Sequence, residues 1–139
     1  MLIADTGFFV ALADRHDIFH KRAVACVQSL REPMITTWPV LAETSHFLMA
    51  RVSPAASVQF LGDVAAGAVQ VHPLEPVHLT QMCKLMTKYA DLPMDLADAS
   101  LVWLAEHLGD GRILSTDQRD FKTYRFKNHK PFKNVLLPD

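Results

Sequence analysis

Short apolar runs of strand length recur along this chain, and each is separated from the next by a longer segment of helical period. Residues 2–4, 34–37, 69–71 and 112–115 are predicted strands, with a short fifth at 134–137. Helices are predicted at 8–13, after an Asp17 N-cap through Ala23, Val24, Val27 and Leu30, at 39–51, from Ser53-Pro54 to Gly67, at 76–89, and from Asp95 through Leu108. Strands that alternate with helices pair in parallel through right-handed crossovers. The expectation is an α/β chain, a three-layer α/β/α sandwich around a central five-stranded parallel sheet. At 139 residues it is expected to form one domain, 1–139. In open sheets of this kind ligands bind beyond the carboxyl ends of the strands, so the residues just past each strand matter most.

Those residues are acids. Asp5 follows the first strand and Asp117 the fourth. Glu43 lies six residues past the second strand, on the following helix, and Asp98 lies on the helix that leads into the fourth. Three of the four are flanked by apolar sequence, Leu-Ile-Ala before Asp5, Val-Leu-Ala before Glu43 and Ala-Ser-Leu-Val after Asp98. A lone buried acid is costly, and several together raise one another's pKa. A divalent cation relieves both problems. Hard cations take oxygen ligands, and the chemistry they suit is phosphodiester hydrolysis. Any one of these acids alone reads equally as a cap or a solvated residue; the four together carry the argument. Asp95 reads as a helix N-cap that lies one turn from Asp98, and Asp120 sits three residues past Asp117.

Composition excludes other classes. Half the residues are hydrophobic, about a fifth are charged, and the formal net charge is −1, so charge alone indicates neither nucleic acid nor membrane. No run approaches the ~18 apolar residues a membrane span needs. No basic n-region precedes an apolar stretch, and the two cysteines, Cys26 and Cys83, show no CxxC or Cys-His spacing. Buried free thiols in a cytoplasmic protein are expected.

The stretches LIADTG (2–7), LAET (41–44), DLADASLVWLAE (95–106) and ILSTDQRDF (113–121) resemble the four motif blocks of PIN-domain ribonucleases, and among these the VapC-type toxins of prokaryotic toxin–antitoxin pairs. The likeness runs from residue 2 to about residue 137. It implies a magnesium- or manganese-dependent endoribonuclease, often a homodimer, inhibited by an antitoxin protein. Carried onto this chain, the catalytic and metal-holding acids are Asp5, Glu43, Asp98 and Asp117. Thr6 and Thr116 are the hydroxyl residues expected to orient carboxylates or metal waters. Gly7, where many relatives carry another small or polar residue, is a departure that puts no acid in doubt.

Between Arg112 and Lys133 the chain holds seven Lys or Arg against two acids, with Phe121, Tyr124, Phe126 and Phe132 interleaved. Basic groups track phosphates and rings stack on bases, so Arg119, Lys122, Arg125 and Lys127 are candidate RNA contacts, against a plain reading of surface charge and core rings. His16 and His20 have HxxxH spacing but read as polar surface around an Asp17 cap, and His46 as a polar helix-face residue. Phe8, Phe9, Leu12, Trp38 and Trp103 read as core or dimer contacts.

Competing readings fail at particular residues. A haloacid-dehalogenase-like phosphohydrolase wants a second acid where Gly7 stands. A receiver-like domain wants adjacent acids near the first strand and a Lys after the last. A dinucleotide-binding fold wants a glycine-rich first turn. A PIN-fold module that binds RNA or protein without catalysis remains the main alternative, and the presence of all four acids argues against it.

Overall fold

The computed structural model describes residues 1–138. In chain order the elements are β1 (Leu2–Ala4), α1 (Thr6–Ala13), α2 (His20–Ser29), β2 (Met34–Thr37), α3 (Trp38–Arg51), α4 (Pro54–Ala65), β3 (Gln70–His72), a 3₁₀ turn (Pro76–His78), α5 (Leu79–Lys88), α6 (Leu96–Leu108), β4 (Arg112–Leu114), α7 (Gln118–Thr123), β5 (Arg125–Phe126), β6 (Lys130–Pro131) and β7 (Lys133–Asn134). Five strands form a parallel sheet in the order β3-β2-β1-β4-β7, as the alternation of strand and helix runs requires.

The chain steps outward from β1 to β2 to β3, then crosses back to place β4 on the other side of β1. That reversal makes the β1/β4 junction the switch point of the sheet, where loops diverge and leave a crevice. β1 is buried along its whole length, and α6 covers the sheet with a face that includes Leu101, Val102, Leu104 and Ala105. A helix this apolar all round is a core helix, which is why Asp98 stands out on it.

Several expectations shift. α1 begins at Thr6, because Asp5 caps it, and not at Phe8. α2 begins at His20 with Phe19 at its cap; the Asp17 carboxylate instead accepts from the Phe19 backbone N–H at 2.8 Å, closing the preceding turn. β3 lies one residue later than the predicted 69–71, since Val69 is buried before the ladder starts and Thr37 pairs with His72. The last sheet strand is Lys133–Asn134 and not 134–137, where Leu136 and Leu137 pack into the core as irregular chain. The antiparallel β5/β6 hairpin was not foreseen. Cys83 is exposed, against the expected burial; Trp38 is 61% exposed and so is not a core residue, while Phe8, Phe9 and Trp103 are in the core. Among the described residues no helix is long and apolar enough to cross a membrane.

Candidate active site

The carboxyl edge of the sheet gathers the acids. A cleft of about 380 Å³ at the β1/β4 junction is lined by Asp5, Thr6, Glu43, Asp95, Asp98, Thr116, Asp117 and Asp120, with Asp17, Phe47 and Arg51 at its flanks. All four predicted acids and both predicted threonines are therefore brought together.

Each carboxylate is set by its own local structure. Asp5 leaves β1 with its backbone N–H donating to Leu114 O at 3.0 Å, which continues the β1/β4 pairing by one residue. Its Oδ1 then accepts from Thr6 N at 2.7 Å, capping α1, and its Oδ2 accepts from the Ser115 hydroxyl at 2.8 Å. Asp5 is only 6% exposed. Burial overrides those two hydrogen bonds and pushes its pKa up to about 7, with Glu43 and Asp117 adding repulsion. Asp98 sits in the first turn of α6, where Asp95 caps the helix by accepting from Asp98 N at 2.8 Å. Burial, then the nearby charges of Asp95 and Asp5, push Asp98 up to about 8, although the Tyr124 hydroxyl donates to its Oδ2 at 3.1 Å.

Glu43 projects from α3 and Asp117 caps α7 through Asp120 N at 3.0 Å; burial raises both above the ordinary carboxylate range. Ser115 serves twice, since its Oγ also accepts from Asp117 N at 2.9 Å. One buried hydroxyl thus ties the first acid to the fourth. The Thr6 hydroxyl favours the ionised form of Glu43, yet its buried Oγ1 closes no hydrogen bond of good geometry. Gly7 is explained here too: a Cβ at this position would collide with the Thr116 hydroxyl, so glycine lets α1 close against the fourth motif.

All donors facing the cleft are oxygens, a set suited to a hard divalent ion. Among the described residues no three acid, histidine or cysteine side chains stand close enough to clasp an ion directly as they are placed. Magnesium, which keeps several waters and takes one or two carboxylates, matches such an open arrangement.

In the basic segment the rings follow the plainer of the two sequence readings, core packing. Phe121, Tyr124 and Phe126 are buried, and Phe121 and Phe126 both meet the half-buried Phe132 edge-on or tilted, so these rings hold the C-terminal lobe and do not face solvent bases. Arg125 donates through Nη1 to the carbonyls of Lys122 and Tyr124, closing the end of α7. Arg119 is largely exposed beside Asp120, and Lys122 and Lys127 are exposed. His46 is exposed and does not line the cleft. Two residues at the site were not singled out from the sequence, Ser115 and Arg51, and Tyr124 was read there only as a ring among basic residues. Ser115 stood in plain view in the STD stretch, and Arg51 follows Glu43 by eight residues, about two helical turns on the same face. Tyr124 carries no such signal, because its contact with Asp98 spans two elements.

No protein-family model matches the chain. Ribonuclease VapC26 of Mycobacterium tuberculosis is 28% identical over 124 residues, which cover 89% of this chain and 92% of the relative. The crystal structure of VapC20 from Mycobacterium tuberculosis, a sarcin–ricin loop cleaving toxin, aligns with a TM-score of 0.84 at 21% identity, covering 94% of this chain and all of that one. That second likeness is one of fold. With the four sequence blocks in order and the relative aligned almost end to end, the chain is similar to PIN-domain ribonucleases of the VapC type in sequence and shares their fold.

Proposed function

We propose that this protein is an endoribonuclease of the toxin type, which hydrolyses RNA phosphodiester bonds with a divalent cation, magnesium or manganese, and pairs with a cognate antitoxin protein. The observation that carries this reading is the gathering of a buried Asp5 and a half-buried Asp98 in one cleft, with no ion pair to either among the described residues. Such a pair is stable only if protonated or if a cation sits between them.

Asp5, Glu43, Asp98 and Asp117 would hold the ion. When bound, a divalent ion there acidifies a water and offsets charge developing on the phosphate. The protein supplies fixed geometry. Thr6 N and Ser115 Oγ hold the two oxygens of Asp5, and Tyr124 holds one of Asp98, which restrains both carboxylates. Thr6 and Thr116 have hydroxyls at the cleft and would orient carboxylates or waters. In the free protein Asp5 and Asp98 keep protons near neutral pH, and these must leave before a cation is held. Cleavage is therefore expected to rise with pH through about 7 to 8.

Arg119, Lys122 and Lys127, all exposed, are candidate phosphate contacts outside the cleft, and Arg125 donates to backbone carbonyls. A homodimer fits the exposed apolar side chains Met49, Val52, Val58 and Leu61 along α3 and α4, and light scattering would read it.

The deciding experiment incubates purified protein with total RNA, with and without magnesium or manganese, beside Asp5→Asn. Outer groups that only support a metal ligand are worth about 10- to 100-fold, so loss of a ligand should cost about 100-fold or more. The fold should survive, because the substitution removes a buried charge. Equal cleavage by wild type and Asp5→Asn would sink the reading. A folded wild type that binds RNA but cuts none under any divalent ion would favour the non-catalytic alternative.

A further inference from the structure

The cleft presents a problem for its own substrate. Seven acids line or flank it (Asp5, Asp17, Glu43, Asp95, Asp98, Asp117 and Asp120), and a polyanion would be repelled from its mouth. Among the described lining residues a single cationic side chain, Arg51, answers them. It stands in the last turn of α3, eight residues after Glu43, and it is exposed. It is not consumed by the acids: no ion pair among the described residues includes it. Its guanidinium instead lies over the Phe47 ring, with Cζ 4.9 Å from the ring centroid. Phe47 is the residue midway between Glu43 and Arg51, so all three occupy one stripe of the helix.

The geometry points to Arg51 as the phosphate-binding residue at the mouth of the cleft, held on Phe47 as a platform and contacting a single-stranded RNA phosphate beside the one cleaved. A guanidinium stacked on a ring keeps its N–H edge open, and that planar fork matches a phosphate in two-point fashion. Stacking also restrains a long side chain in advance, so less freedom is lost on binding. Such a contact would draw the chain into the cleft without placing a positive charge among the carboxylates that would hold the cation. The assignment rests on the endoribonuclease reading and names the group that recruits its substrate.

Binding of a fluorescein-labelled single-stranded RNA oligonucleotide, followed by anisotropy in EDTA across a salt series, tests Arg51 without any cleavage. Arg51→Ala should bind about 10-fold more weakly, and its log–log salt slope should fall by about one. Arg51→Lys should restore the slope but only part of the affinity, because a point charge replaces the fork. Phe47→Leu should weaken binding a few-fold with the slope kept. Thermal melts confirm that the variants fold. In the cleavage assay Arg51→Ala should raise KM far more than it lowers kcat, as expected for contact made equally before and during reaction. Unchanged affinity and slope in Arg51→Ala would overturn the assignment, as would weaker binding with an unchanged slope. So would an Arg51→Ala protein that merely binds manganese more tightly, since Arg51 would then serve only to offset the acids. If Asp5→Asn cleaves like wild type, the nuclease reading fails, while the EDTA titration still reports on Arg51.

Discussion

Gly7 shows how much one side chain can be asked to leave out. The glycine stands at the second position of α1, where alanine would favour the helix by roughly 1 kcal/mol. Yet its missing Cβ is where the Thr116 hydroxyl lies. Gly7→Ala would force that hydroxyl to rotate away or separate α1 from the fourth motif. The helix gain and the steric cost oppose each other, so the melting temperature should move little, by no more than about 1 kcal/mol equivalent. Cleavage should fall by about 10-fold if Thr116 orients a group at the cleft, an effect within the range known for supporting residues. Normal turnover in a folded Gly7→Ala protein would remove Thr116 from the site. At this scale the sequence was most informative about acids and least about what surrounds them. Asp5, Glu43, Asp98 and Asp117 were legible because a carboxylate in apolar sequence is conspicuous. Ser115 was not, because a serine beside an acid is ordinary until its hydroxyl is seen between Asp5 and Asp117.

Elements matter here through their ends. α1, α6 and α7 each begin at an acid, Asp5, Asp95 and Asp117, whose side chain caps the helix. Capping and lining the cleft are compatible because a carboxylate has two oxygens and a cap uses one. That resolves the ambiguity of Asp95, which reads from the sequence as a cap and is one, yet also reaches the cleft. The long helices and the first two strands were legible from period and caps. The β5/β6 hairpin was not: its strands are two residues each, and its turn uses Lys127 and Asn128 at positive φ instead of a glycine. That hairpin region positions Tyr124, whose ring sits between Tyr89 and Phe121 with its hydroxyl on Asp98. Tyr124→Phe keeps the packing and deletes one hydrogen bond to a charged partner, worth about 1.5–3 kcal/mol. The expected result is a weakening of manganese binding by about 10-fold in calorimetry with little change in melting temperature. Unaltered binding would mean that the Tyr124 hydroxyl serves packing alone.

Over the whole molecule, the cleft sets the protein against itself when no cation is bound. Asp5 and Asp98 titrate at about 7 and about 8 in the folded chain, against an ordinary value of 3.8, and burial is the chief cause for both. A group with a raised pKa binds its proton more tightly when folded. As pH rises above about 4 the unfolded chain releases these protons first, so stability falls with pH until both groups are ionised in the folded state near pH 8. Glu43 and Asp117 are raised as well and act with the same sign. Glu32 and Asp110, lowered by Arg112, pull the other way, but they are already ionised by about pH 5 and drop out of the comparison. His72, lowered by burial, opposes the trend weakly around pH 6. The cation-free protein should therefore melt lower at about pH 8.5 than at about pH 5.5, by on the order of 10 °C. Manganese should restore most of that loss at the higher pH and almost none at the lower, where protons occupy the carboxylates it needs. The double variant Asp5→Asn, Asp98→Asn should lose most of the pH slope, leaving the share of Glu43 and Asp117, and the response to manganese. If wild type melts alike at both pH values, or if manganese stabilises the double variant as much as wild type, the acids do not form the cation site that the proposed reaction requires.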